Sequence, residues 1–507
     1  MNVQRMSCSR SLIRAVAVLG VLELLFLFAP NAWGVPSYSR RYGMECSGCH
    51  TMWGSLNGNG VQFRLSGYRA IGGNNLTPIS EDIEIAKGVS LPTTLPLSFI
   101  TGVGYDQRTE KRDAADGTHN TANGSSIALE DASIFMTSPI GKYFSVFVEF
   151  PMYETKSWEF TPTGKFEAND TSRSNKIQFE AEKPTFEVAK FWWNNVFGEA
   201  LPRDSVNLLA GITHLPLGYA SGKVRLSVNQ YLIYERRALD YISPNKVSDV
   251  LGDADDYLMK FGEPQVLAEV NGMLTFGKPV TDISKRDTFW AEYHVGITNG
   301  SNDSGDNNTR KDIYGRWVMR YYNQTLGFTG YYSGDTYDQT LRTHASIAGN
   351  PDGVGIMSGI QNSNKMTRYG IDGTLSLVPW GIPVWLDNQY MWNHESDPTG
   401  FGKAFNWHGG FQQLNWQPSK DLITYARYDY VNGDNINDTT VTVNGVTGIT
   451  NSTPKEWDVV AGLQYLLSQN IKLIGEYRHH EFQDTAEGPN TARLKDDGFT
   501  VRVMLGF

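Results

Sequence analysis

The sequence predicts an all-β protein, a transmembrane barrel of about 16 strands with a small N-terminal segment acting as its plug. Three observations predict the barrel. From Leu95 onward, stretches of roughly 8 to 12 residues alternate apolar and polar positions, the period of strands with one face in lipid and the other in a lumen. The connections between them are asymmetric. They are tight at Pro139-Ile140-Gly141-Lys142, Tyr322-Asn323-Gln324-Thr325, Pro379-Trp380-Gly381, Gln417-Pro418-Ser419-Lys420-Asp421 and Ser468-Gln469-Asn470, and long and polar over 106–126, 151–185, 299–311, 337–365, 432–456 and 483–498. Short turns at one mouth and long loops at the other are what an outer-membrane barrel shows. Finally, the 507 residues include 51 Gly, are 12% aromatic and only 19% charged, and after the leader contain no run near the roughly 20 apolar residues a spanning helix needs.

In chain order, residues 1–34 read as a secretory signal peptide. Arg5, Arg10 and Arg14 give a basic start, 15–29 is mostly apolar, and Ala32-Trp33-Gly34 offers small residues for cleavage. Glu23 inside the apolar run weakens a permanent span more than a transient signal. The chain is therefore expected to be exported. Its net charge of −10 excludes nucleic acid as a partner, since phosphates call for a basic surface.

Residues 35–92 form the segment that carries chemistry. Cys46-Ser47-Gly48-Cys49-His50 spells C-x-x-C-H, the c-type haem attachment sequence. Two thiols at this spacing each add to a vinyl group of one haem, and the adjoining imidazole is then held under the iron as its axial ligand. A thioredoxin-like dithiol would want a βαβ context and a zinc site a second ligand pair, and neither is present. The only other cysteine, Cys8, lies in the leader, so one covalently bound haem c leaves no thiol for a structural disulfide. The segment is broken by Gly54, Gly58, Gly60, Gly67, Gly72, Gly73, Pro78 and Pro92, and is too small to wall in a porphyrin alone. It is expected to plug the barrel or sit at its mouth.

The motif has company. Pro36-Ser37-Tyr38-Ser39-Arg40 precedes it, Thr51 follows it, and Gly60, Phe63, Leu65, Gly67 and Tyr68 trail it in a G-x-x-F-x-L-x-G-Y pattern. In this combination, over some 35 residues, the segment resembles the fused monohaem cytochrome-porins of the outer membrane, a family that includes the iron-oxidising cytochromes of chemolithotrophic iron oxidisers. Trp53-Gly54-Ser55 after the motif and the long outer loops depart from that pattern. The resemblance implies transfer of electrons from extracellular Fe(II) to a periplasmic c-type cytochrome.

Residues 93–507 make the barrel. Phe499, Val501, Val503, Leu505 and Phe507 share one face of the last strand, and Phe144, Val146, Val148 and Phe150 one face of an early strand, opposite Ser145 and Glu149. The count from turns is sixteen strands, with both ends on the periplasmic side. Residues 217–264 read as one long outer loop, with 223–234 as a further strand if a partner exists. Alternation turns Glu149, Glu269, Glu292, His294, Arg316, Arg320, Arg368, Asp372, Asp387, His408, Arg427, Asp429, Glu476, Arg478, His480 and Arg502 inward. Such mixed charges line water in an open porin and pair with one another in a plugged barrel.

The sixth haem ligand is not legible in the sequence. Met44, Met52, Met273, Met391, His294 and His408 are the candidates, since Met and His both serve haem iron. Asp249, Asp253, Asp255, Asp256, Asp303, Asp306, Glu487, Asp496 and Asp497 form acidic loops that would concentrate Fe²⁺ at the outer mouth, or simply keep it solvated. No spacing among them makes a defined metal cage. Two function classes follow: an electron conduit through the outer membrane, or a substrate-specific channel whose haem segment is a plug or sensor. A soluble periplasmic β-protein is a third.

Overall fold

In the computed structural model the alternating stretches pair antiparallel, each with its neighbours in sequence. The last, Ala492–Gly506, pairs with the first, Leu97–Asp113, from Arg493 opposite Asp113 to Gly506 opposite Ile100. The sheet therefore closes, as a ring of sixteen strands with no free edge. The structure describes residues 37–52, 55–69, 82–87, 89–113, 119–154, 188–220, 225–236, 259–276, 289–300, 302, 310–338, 341–343, 355–357, 361–396, 404–433, 439–443, 446–450, 454–484 and 492–506. The leader expected over 1–34 lies outside them.

Barrel strands are numbered in chain order. They are β1 (Leu97–Asp113), β2 (His119–Ile140), β3 (Phe144–Glu154), β4 (Val188–Trp193), β5 (Asn207–Thr213), β6 (Gln265–Thr275), β7 (Trp290–Thr298) and β8 (Asp312–Tyr321). The second half comprises β9 (Gln324–Asp338), β10 (Gln361–Ser376), β11 (Val384–Glu395), β12 (Phe405–Ser419), β13 (Leu422–Gly433), β14 (Pro454–Ser468), β15 (Ile471–Asp484) and β16 (Ala492–Gly506).

Alternation decides what each face meets. Phe144, Phe328, Tyr369, Leu414, Trp416, Val459 and Phe499 are exposed on the outside, while Ser145, Glu149, Asp458, Gln464 and Glu476 are buried inside. A closed antiparallel cylinder that is apolar outside and polar inside crosses a bilayer with every backbone group paired, and in bacteria this is the architecture of outer-membrane proteins. The outward apolar band rules out the soluble alternative. Among the described residues no helix is long and apolar enough to cross a membrane.

Tight turns gather at one mouth. β8 passes to β9 through Tyr322 and Asn323, with Tyr322 in the left-handed region at φ 47°, and β10 passes to β11 through a 3-10 turn closed by Gly381 at φ 82°. The opposite mouth carries the long connections, but within the expected loop 483–498 residues 492–498 are already strand, paired with 478–484, and two larger differences follow. Over 106–113 and 119–126 the chain is paired rather than looped: β1 and β2 stay in register up to Asp113 opposite His119. Both faces of that hairpin are polar in sequence, so it carries no amphipathic signal.

The second correction is larger. The described parts of 217–264 neither form a strand nor stand outside. Residues 225–236 are irregular apart from one helical turn, Leu232–Glu235, and Leu215, Leu217, Tyr231, Leu232, Ile233, Tyr234 and Phe261 are buried in the lumen. The apolar run Tyr231-Leu232-Ile233-Tyr234 explains the direction, because an outer loop would leave it in water.

Candidate functional site

The N-terminal segment enters the lumen at the tight-turn mouth. It comprises α1 (Ser37–Tyr42), a 3-10 turn at Cys46–Gly48, a short antiparallel ribbon pairing His50–Met52 with Ser55–Leu56, and α2 (Gly58–Leu65). Two asparagines fasten this small unit onto the C-x-x-C-H turn. Asn57 caps α2 by accepting from the Gly60 N–H at 3.0 Å, donates its side-chain amide to the Ser47 carbonyl at 3.1 Å, and donates its backbone N–H to the Cys49 carbonyl at 2.9 Å. Asn59 donates to the Gly48 carbonyl at 3.3 Å. Neither asparagine was legible as a functional residue beforehand; an Asn-x-Asn just ahead of a short helix is the signal that was available.

The residues trailing the motif now have physical roles. Gly60 lies so close to the motif that a Cβ there would come within 2.1 Å of the Cys49 carbonyl oxygen. Phe63 and Tyr68 join Tyr38 in an aromatic cluster that reaches the wall: Tyr38 stacks on Tyr68 at 4.9 Å, and Tyr68 meets Trp192 of β4 edge-on at 5.2 Å. Leu65 packs with Val61 against Met273 and Trp290. Gly67 adopts φ 64° where the chain passes Asn194 and Ser145. Substituting Gly60 by Ala is expected to push the Cys49 carbonyl off the Asn57 N–H, raising amide exchange at Asn57 by roughly tenfold while barrel amides stay protected. Unchanged exchange there would contradict this packing.

Polar bonds seat the unit on the wall. Ser37 N–H donates to Ser98 Oγ at 2.9 Å, Arg69 donates to Ser145 Oγ at 2.6 Å and Asn194 Oδ1 at 2.9 Å, Asn207 donates to the Leu65 carbonyl at 3.1 Å, and Gln417 donates to the Thr51 carbonyl at 3.1 Å. The Cys46 thiol points at the Gln469 carbonyl, 3.6 Å away in the β14–β15 turn. These contacts place the motif inside the barrel at the tight-turn mouth.

Neither thiol is in a disulfide, and both are partly buried. Burial first, and then mutual charge, pushes the Cys49 thiol up to about 11, and burial raises Cys46 as well. Reactive dithiols are activated by the opposite shift. His50 is half-buried, and its Nδ1 is buried without a hydrogen-bond partner. Burial, followed by the charge of nearby Lys472, pushes this imidazole down to about 4, against a hydrogen bond it donates to the Ser55 carbonyl. It is therefore neutral at neutral pH, the form that ligates a metal. Two adjacent thiols and a neutral imidazole with an orphaned nitrogen in one enclosed turn form a donor set that suits a covalently tethered haem.

The other ligand candidates are dispersed. Met44 folds back on the motif, where its Sδ would be 2.8 Å from a Cβ at Gly48, and Met52 is buried among Leu226, Trp385, Ile423, Tyr425 and Val460. Met273 packs on α2 and Met391 lies in the main lumenal core. His294 bonds Glu269 through Nδ1 at 2.8 Å. His408 corrects the expectation: it faces outward, with its ring 5.9 Å from Tyr390, because Trp407 and Phe411 take the inward positions of β12. Met504, pairing with Lys472 and held against Gly102, is a further methionine of the last strand that was not among the candidates.

Above the segment the lumen is filled. The inward charges pair: Arg316 with Asp372 through two bonds at 2.6 and 2.8 Å, Arg320 with Glu292 at 3.0 Å, Arg427 with Asp429 at 3.0 Å, and Arg478 and His480 with Asp458 at 2.9 and 2.6 Å. The remaining bonds hold the inward-folded segment. Glu476 accepts from the Val228 and Asn229 N–H groups, each at 3.0 Å, and from the Tyr425 hydroxyl. Arg427 donates to the Asn229 carbonyl at 2.9 Å and lies over the Tyr231 ring, and Arg236 meets Glu456 at 2.9 Å. Paired charges around a packed insert match the plugged alternative and not the water-lined one.

Among the described residues no group of three or more His, Cys, Asp or Glu is placed to hold a metal ion. Of the acidic loops, Asp249, Asp253, Asp255, Asp256, Asp303, Asp306 and Glu487 lie outside the described residues. Asp496 and Asp497 belong to β16 and pair across strands, with Arg108 at 3.5 Å and His479 at 2.7 Å.

In sequence, no family model and no curated protein matches the chain. In structure it is similar to OmpT, an outer membrane protein of Vibrio cholerae, with TM-score 0.43 and 9% identity over 84% of this chain and 100% of that one. It is also similar to the outer membrane channel DcaP of Acinetobacter baumannii, with TM-score 0.43 and 9% identity over 84% and 99%. An anion-selective porin from Comamonas acidovorans gives TM-score 0.44 and 11% identity over 81% and 100%.

Proposed function

We propose that this outer-membrane barrel is an electron-transfer protein, carrying one haem c tethered through Cys46 and Cys49 and ligated by His50, that takes electrons from extracellular Fe(II) and passes them to a periplasmic c-type cytochrome. The observation that carries the reading is the half-buried C-x-x-C-H turn set in the tight-turn mouth, with its imidazole neutral and one ring nitrogen unsatisfied. When bound, the haem supplies one-electron exchange at its iron. The chain's own residues do the rest. Cys46 and Cys49 fix the macrocycle covalently, Asn57 and Asn59 hold the turn that carries them, and the α2 and wall residues keep water from the ring. The packed insert and paired charges close the lumen to bulk ion flow, so that charge crosses as electrons.

The test uses the purified full chain. The mature mass should include one haem; the visible spectrum should change from oxidised to reduced on anaerobic addition of Fe(II), and Cys46→Ser with Cys49→Ser should abolish the covalent haem. A mature chain without haem would refute the reading. A haem that ignores Fe(II), in a barrel that conducts ions, would favour the substrate-specific channel. Reduction from the periplasmic side followed by oxidation by an external acceptor would reverse the direction.

A further inference from the structure

Lipid asks for an apolar outer wall, and on one side of this barrel the wall is interrupted. On β12 the buried Phe411 and Gln413 point inward, which turns Gln412 outward, and on β11 the buried Asp387 and Gln389 do the same for Asn388. Register sets the two amides opposite one another, with Cβ atoms about 5 Å apart. Gln412 stands four residues above the exposed Trp416, roughly 14 Å along the strand. That is the middle of the outward apolar band, about 25 Å tall in such barrels. On β8 and β14 the outward positions are residues such as Ile313, Trp317, Val459, Ala461 and Leu463.

Asn388 donates one N–H to the Gly373 carbonyl at 2.9 Å. Among the described residues its Oδ1 and the whole Gln412 amide have no hydrogen-bond partner. The wall beside them is low, since Gly373 lies across from Asn388 and Gly410 follows Gln412 on the outward face of β12. Flat rings frame it, with Tyr369 stacked on Trp392 at 5.2 Å and Tyr390 against Trp392 at 4.2 Å.

We infer that this outward face of β11 and β12, centred on Asn388 and Gln412, is a two-fold interface with a second copy of the chain. Lipid tails offer an amide neither donor nor acceptor, so the pair is costly there unless protein covers it. Each amide carries one acceptor and two donors, which makes another amide its complement. Among the described residues no other outward amide stands at this depth away from the turns. A ring of copies joined face to opposite wall would therefore leave the pair unsatisfied; the same face turned about a two-fold axis along the membrane normal returns the missing bonds. The glycines allow the close approach that polar contacts within a membrane require. The inference is independent of the haem reading.

The experiment has three arms, all on the full chain. Wild type extracted from the outer membrane directly into lipid nanodiscs should have the mass of two copies; one copy, three copies, or a complex with another protein would each overturn the inference. Asn388→Leu with Gln412→Leu should raise the monomer fraction at least tenfold while the folded barrel still shows its heat-modifiable gel shift, and a double variant as dimeric as wild type would overturn it. In intact membranes under mild oxidation, Gln412→Cys should give a dimer band absent from wild type, because a two-fold axis brings the residue to its own copy. Phe191→Cys, exposed on β4 at the far side of the ring, should give none. Equal bands from both positions would mean random collision and sink the assignment. If the Leu variant does not assemble, the wild-type mass and the cysteine arm decide the question between them.

Discussion

Replacing Glu476 with Ala turns a silent barrel into a conducting one. This carboxylate takes two backbone N–H groups, from Val228 and Asn229, and the Tyr425 hydroxyl, and so ties the inward-folded segment to β15. Removing it leaves those buried donors without an acceptor, at about 1–3 kcal/mol each. Arg427, bonded to the Asn229 carbonyl and flanked by Asp429 and Tyr231, holds the adjacent point, so Arg427→Ala should add to the effect. Single-channel recording in planar bilayers is the measurement: wild type should show little current, Glu476→Ala brief openings, and the double variant sustained ones. Hydrogen exchange should show faster labelling of 225–236 with β14 and β15 still protected. A variant as silent as wild type, with 225–236 equally protected, would mean that another contact holds the segment.

The second large effect concerns stability. Arg316 and Asp372 form a bidentate pair whose side chains are 3% and 4% exposed, bridging β8 to β10 across β9 on the lumenal face. Asp372→Asn leaves a buried guanidinium without its counter-charge, a loss of about 3–5 kcal/mol. The temperature at which the folded band converts to the unfolded band on detergent gels should fall by several degrees. Replacing both residues with apolar ones of similar volume should recover most of the loss, since a buried pair is worth far less than the cost of leaving one partner alone. If the single variant matched wild type, water would have to reach Arg316.

Much of this architecture was written in the alternation. Phe144 outward and Ser145 and Glu149 inward follow from sequence, as do the tight turns at Tyr322 and Gly381, because lipid on one side and polar groups on the other impose a strict period of two. The rule failed where the lumen is not aqueous. On β12 the inward positions are Trp407 and Phe411, which pack on the inserted segment with the rings of Tyr231 and Phe411 4.0 Å apart, so the strand reads in inverted phase and His408 was turned the wrong way. A segment that fills a barrel also looks like a loop until its partners are known, and Tyr231-Leu232-Ile233-Tyr234 gave the only hint. At the candidate site the C-x-x-C-H stretch, Cys46, Cys49 and His50, was legible from spacing alone as one turn. What the wall contributes was not: Gln469 stands more than four hundred residues from the motif, and only the closing of the barrel brings it beside Cys46.

The N-terminal segment enters the lumen through the tight-turn mouth, and Pro92 leads back to β1 at that same mouth, where the Gly141 N–H bonds the Ser90 carbonyl. Among the described residues no part of it is threaded through the cylinder. Zipping of the seam between first and last strands and docking of the N-terminal unit are consequently separate events, free to occur in either order. A late-arriving unit needs only an open doorway on the cell side, and a barrel caught before its arrival is a finished wall awaiting its occupant.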